Sequence, residues 1–180
     1  MPSASPTTWL RPGSPVIGGH EIPDAQRLFA HHLIDVGAVD LIHGHSSHHF
    51  KPVEVYRNKV ILYGCGDFID DYEGIRAYEE FRDDLVLMYF AKIRLIDRAL
   101  AALELVPLQI RNMRLNPVSA SDRTWILERF NRECACFGTH AALRADGALR
   151  LCQSGCRCAD LPIDRRQCVD CRLGFGCDTK

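Results

Sequence analysis

His43-Gly44-His45-Ser46-Ser47-His48-His49 places four imidazoles within seven residues, and it constrains the fold more than any other stretch of the chain. It follows Val39-Asp40-Leu41-Ile42, an apolar run that reads as a short buried strand. Gly44, Ser46 and Ser47 are small and turn-compatible, so the chain can fold sharply and aim several rings at one point. A strand that ends in such a loop is where an α/β protein keeps its ligand site. Neutral imidazole is the commonest side-chain ligand for borderline divalent metals. A spacing of three lets His45 and His48 face one side of a tight loop. The same composition also suits a solvated polar turn.

Around this loop the pattern alternates between helix and strand. Ala25, Leu28, Phe29, Leu33 and Ile34 recur at helical spacing, with Pro23 in the first turn and Gly37 as the stop. Val53–Tyr56 and Val60–Tyr63 are β-rich, and Arg57-Asn58-Lys59 between them predicts a hairpin. Gly64 and Gly66 flank Cys65 and suit a backbone passing close to a ligand. The stretch 70–84 is acidic and reads as a surface loop or short helix. Leu85–Leu95 and Leu100–Ile110 are apolar runs, and strand versus helix stays open for the Ala-rich part, 99–103. Residues 109–115 alternate as a half-buried strand would. Ser119 or Ser121 can cap a helix reaching about Glu133, and residues 137–151 read as a last hairpin around Ala145-Asp146-Gly147. Trp125, Phe130, Tyr89 and Phe90 are expected in the core.

The balance of charge excludes some functions. The net charge of −1 favours neither a nucleic-acid partner nor an anionic membrane surface. No apolar stretch approaches the roughly 20 residues of a membrane span, and no secretory signal is visible at Met1, so a cytoplasmic setting is expected. Six of the nine cysteines crowd residues 152–180. An odd total without a signal favours reduced thiols. Cys168-x-x-Cys171, with Cys156 and Cys158, has zinc-knuckle spacing, although an unrelated, unstructured extension is the preferred reading of this tail. Ser46 and Ser47 have no Asp partner in the pattern that would make a serine nucleophile. Cys65 is an alternative thiol nucleophile.

The run Leu33-Ile34-Asp35 … Asp40-Leu41-Ile42-His43-Gly44-His45-Ser46-Ser47-His48 … Glu54-Val55-Tyr56 … Ile61-Leu62-Tyr63-Gly64-Cys65-Gly66-Asp67-Phe68 resembles the CapA family of capsule, or poly-γ-glutamate, biosynthesis proteins. That family belongs to the calcineurin-like metallophosphoesterase superfamily. The resemblance covers about residues 21–151. It implies an α/β fold: the C-terminal half of a calcineurin-like α/β sandwich, with a mixed sheet and flanking helices. Residues 1–20 read as an irregular N-terminal segment, and 152–180 as a cysteine-rich, unstructured tail.

The resemblance also implies a centre of two divalent metal ions (Mn, Fe or Zn), to which His45 and His48 contribute one imidazole each. His43 and His49 flank the pair. Such a centre lowers the pKa of bound water from about 15.7 towards 7 and polarises a phosphoryl oxygen. The implied substrate is a phosphoester or an acidic, polymer-related small molecule. Glu21 stands at the family's third ligand segment, where a helix N-terminal carboxylate is an equal reading. Asp67, where the family often has Asn, reads as a turn-capping carboxylate. The family's two earlier ligand segments have no counterpart here. The expectation is therefore a truncated chain, impaired on its own, and the rival reading is a non-enzymatic chain or a zinc-binding module built on the cysteine tail.

Overall fold

The computed structural model describes residues 21–45, 47–69 and 81–153. Residues 1–20, most of the acidic stretch 70–84 and the cysteine tail beyond Gln153 lie outside the described residues, so the expectations for them do too. Within these bounds the chain is mixed α/β, with two sheets and two helices, as a partial α/β sandwich requires.

The first helix, α1 (Asp24–Asp35), starts directly after Pro23, whose fixed φ suits that place. It ends in a Schellman turn: Gly37 takes φ +70°, its N–H donates to Ile34 O, and Ala38 N–H donates to Leu33 O. The helix delivers the chain to β1 (Leu41–His43), which runs parallel to β3 (Lys59–Leu62) in the register Leu41↔Val60, Ile42↔Ile61, His43↔Leu62. Between them in sequence, β2 (Val53–Tyr56) pairs antiparallel with β3, giving the order β1-β3-β2. The β2–β3 turn carries Arg57 at φ 46° and Asn58 at φ 62°. Two consecutive positive φ values make a type I′ turn, whose twist matches the flanking strands.

The second sheet is built from β4 (Leu85–Ile93), β5 (Leu100–Ile110), β7 (Thr139–Leu143) and β8 (Leu149–Gln153), in the order β4-β5-β8-β7. The short β6 (Leu115–Pro117) folds back on β5. Of residues 99–103, open between helix and strand in the sequence, Leu100–Leu103 lie in β5 and run along β4. Tertiary pairing overrides the helical propensity of alanine there. Residues 109–115 are not one continuous strand. Asn112 and Met113 take φ 56° and 54°, and a turn separates β5 from β6. β4 also stops earlier than the apolar run does, leaving Leu95 92% exposed in the turn.

α2 (Ala120–Cys134) begins at Ser119, whose Oγ accepts a hydrogen bond from Asp122 N at 3.1 Å. It buries Ile126, Phe130 and Cys134. These meet Val53, Val60 and Leu62 from one face of the first sheet, and Leu85, Leu87, Leu103, Leu105 and Leu149 from the second. The opposite face of β3 turns Ile61 and Tyr63 towards Ala30 and Ile34 of α1. β3 is thus covered on both sides. Phe130 lies in the core as expected, and Trp125 and Tyr89 pack against it. Phe90 does not: it stands half exposed where β4 extends beyond its cover. Val53 ties the layers together, since its N–H reaches Cys134 Sγ and its carbonyl accepts from Thr139 Oγ1 at 2.5 Å. No helix among the described residues is long and apolar enough to cross a membrane.

Candidate functional site

Because β1 and β3 are parallel, the segments that follow them leave the sheet at the same end. The His loop and the Gly64–Phe68 segment are therefore neighbours. Gly44 N–H donates to Leu62 O at 2.7 Å, Cys65 N–H to Gly44 O, and Lys51 N–H to Gly64 O at 2.9 Å. Phe50 and Cys65 add an antiparallel bridge. Gly44 is obligatory at this junction, because an added Cβ would overlap the Tyr63 carbonyl and come within 2.8 Å of Leu62 O. Gly66 takes φ +74° against the backbone of His49.

These contacts sort the four loop imidazoles. His43 and His45 are exposed, and His48 is half-buried. His49 turns inward, is 3% exposed and stacks on Phe81 with ring centroids 4.6 Å apart. Its place is in the packing, not at the rim. His48 Nδ1 lies 2.9 Å from Asp67 Oδ2. Asp67 is therefore more than a turn cap: its carboxylate orients an imidazole of the loop. Metal-binding histidines typically have such a carboxylate behind them, which sets the tautomer and leaves Nε2 to ligate.

A second cluster, whose members no sequence spacing groups together, sits on the α1 side of the sheet. Glu54 accepts a hydrogen bond from Tyr63 Oη at 2.5 Å and meets His31 Nε2 at 2.9 Å. His31 in turn stacks on Tyr56 at 3.7 Å, nearly parallel. Burial, then the Glu54 carboxylate, pushes the Tyr63 phenol well up. The cluster stitches α1 to the hairpin. Its signal in the sequence was Glu54 alone, a carboxylate in an otherwise apolar strand. The thiol alternative finds no support: burial pushes Cys65 up to about 12, leaving almost no thiolate at neutral pH.

Residues 17–72 match the family of the bacterial capsule synthesis protein PGA_cap. A Mycobacterium tuberculosis protein named "Probable polyglutamine synthesis accessory protein" is 45% identical over 123 residues, 68% of this chain and 32% of that one. The PGA biosynthesis protein CapA of Bacillus subtilis is 33% identical over 95 residues, 53% of this chain and 23% of that one. The chain is thus similar to CapA-family proteins over part of its length. The capsule biosynthesis protein CapA of Bacillus anthracis is 29% identical over 109 residues, 60% of this chain and 24% of that protein. The chain thus spans about a third of the mycobacterial relative and about a quarter of each Bacillus CapA.

A metal centre of the kind the CapA resemblance implies is only partly provided for here. His48, backed by Asp67, has the donor chemistry, and His45 shares its loop. Glu21 is exposed ahead of α1. Among the described residues no group of three or more His, Cys, Asp or Glu side chains is placed to hold a metal ion. The described donors do not make a complete centre by themselves.

Proposed function

We propose that the chain is part of a capsule or poly-γ-glutamate biosynthesis protein, in which His45 and His48 serve as ligands of a divalent metal centre (Mn, Fe or Zn) acting on a phosphoester-like substrate. The observation that carries this reading is the 2.9 Å contact of His48 Nδ1 with Asp67, at the shared end of two parallel strands. Asp67 holds the His48 ring in one orientation and one tautomer, with Nε2 as the ligating atom. His45, on the exposed side of the same loop, is the second imidazole; Glu21, the third donor that the family resemblance implies, forms no three-donor group with them among the described residues. A bound cation supplies Lewis acidity and an activated water. The zippered backbone around Gly44 keeps the loop in place. Equilibrium titration of the purified full chain with Mn or Zn ions tests the reading. His45→Ala and His48→Ala should each weaken binding at least tenfold, and unchanged affinity in both variants would refute it.

A further inference from the structure

Lys51 closes the His loop, and its stem lies across Gly64. A Cβ placed on Gly64 would stand 3.0 Å from Lys51 Cγ and 3.1 Å from Cδ, and would overlap Ser47 Oγ. The absent side chain at Gly64 is thus what lets these two polar residues share one patch of backbone. Neither is satisfied there. Ser47 is 6% exposed, and its Oγ is buried with no hydrogen-bond partner among the described residues. Lys51 is half-buried, and among the described residues its ammonium has neither ion pair nor hydrogen bond. Burial alone lowers its pKa, with no carboxylate opposing the shift.

An unpaired, partly desolvated ammonium whose stem packs across Gly64 from an orphaned hydroxyl costs stability, and most buried polar groups in proteins have partners. An ammonium offers three donors and no acceptor, and the hydroxyl can donate as well. What both lack is an acceptor, and one carrying negative charge would meet the ammonium best. Ser47 immediately precedes His48 and Lys51 lies three residues beyond it, so the two flank that imidazole in sequence.

We propose that Ser47 Oγ and Lys51 Nζ form a subsite for an oxyanion, carboxylate or phosphoryl, of the substrate. This rests on the reading of an anionic substrate given above and is independent of the metal centre. The subsite holds a charged group of the substrate beside His48 without taking part in bond breaking. Removing the Lys51 charge relieves an uncompensated burial, so it should weaken anion binding without weakening the fold. A purely structural lysine would behave in the opposite way.

The test uses the full chain, stripped of metal and dialysed free of chelator, titrated calorimetrically at constant ionic strength. The two probes are inorganic phosphate and a γ-linked triglutamate. At least one should bind saturably. Binding of phosphate alone assigns a phosphoryl group, and binding of the peptide alone a carboxylate. Lys51→Met should weaken that binding at least tenfold, Ser47→Ala severalfold, and His48→Ala by less than twofold. Without ligand, Lys51→Met should melt at or above the wild-type temperature. The proposal is overturned if neither probe binds the wild type, if Lys51→Met binds as tightly, or if Lys51→Met lowers the melting temperature. Failure of the metal reading would show in the metal titration instead, so the two failures are distinguishable.

Discussion

Nδ1 of His48 lies 2.9 Å from Oδ2 of Asp67, 19 residues further along the chain. The contact exists because β1 and β3 run parallel and release their following segments side by side. If His48 is a metal ligand, Asp67→Ala should lower metal affinity by about 10–100-fold, the usual effect of losing the carboxylate behind a ligating imidazole. The melting temperature of the metal-free protein should change little, since both side chains are partly solvent-exposed. Metal titration and a thermal melt of the same sample separate the two effects.

Gly44 makes a prediction about the scaffold. A methyl group there would overlap the Tyr63 carbonyl and crowd Leu62 O, and these are backbone atoms that no rotamer change can move. Gly44→Ala should destabilise the fold by about 1–3 kcal/mol or more, the usual cost of overpacking. Urea denaturation followed by circular dichroism measures this. A wild-type midpoint would mean that the β1–β3 junction is looser than described.

Acid should act through Arg82. Its guanidinium meets Asp84 at 2.8 Å and Asp122 at 3.0 Å. Burial raises the Asp84 carboxyl, but hydrogen bonds from Arg82 and Gln109 outweigh it and hold the group below its ordinary 3.8. The Ser119 hydroxyl, and then Arg82, hold Asp122 below 3.8 as well. Both groups are more acidic folded than unfolded. The stability they lend is therefore complete above about pH 3.8 and is lost as the pH falls through their lower, folded values. The stability gap between wild type and Arg82→Met should be widest near neutrality and should narrow below pH 4, read from urea midpoints at several pH values. A constant gap would contradict this.

Much of the scaffold was legible because it rests on local rules. Pro23 and Gly37 bracket α1, Ser119 caps α2, and Arg57-Asn58 closes a hairpin whose strands were plain from their β-branched residues. The failures come from contacts between segments distant in sequence. Residues 100–103, left open between helix and strand by the sequence, took their conformation from β4 rather than from their own propensity. The turn at Asn112 and Met113 carries neither Gly nor Pro, so alternation hid it. Phe90 is apolar but has no layer over it. In the candidate site, the loop and its histidines stood out from spacing. The Asp67 partner, the inward turn of His49 and the Glu54–His31–Tyr63 cluster did not, because each depends on which strand lies beside which.

The central claim is that His45 and His48 hold a divalent cation, and the metal content of the purified full chain tests it most directly. Wild type, His45→Ala/His48→Ala and Cys168→Ser/Cys171→Ser should be measured together by inductively coupled plasma mass spectrometry. Mn, Fe or Zn should be present in the wild type and in the cysteine variant, and lost from the histidine variant. Metal that survives in the histidine variant and vanishes from the cysteine variant would contradict it.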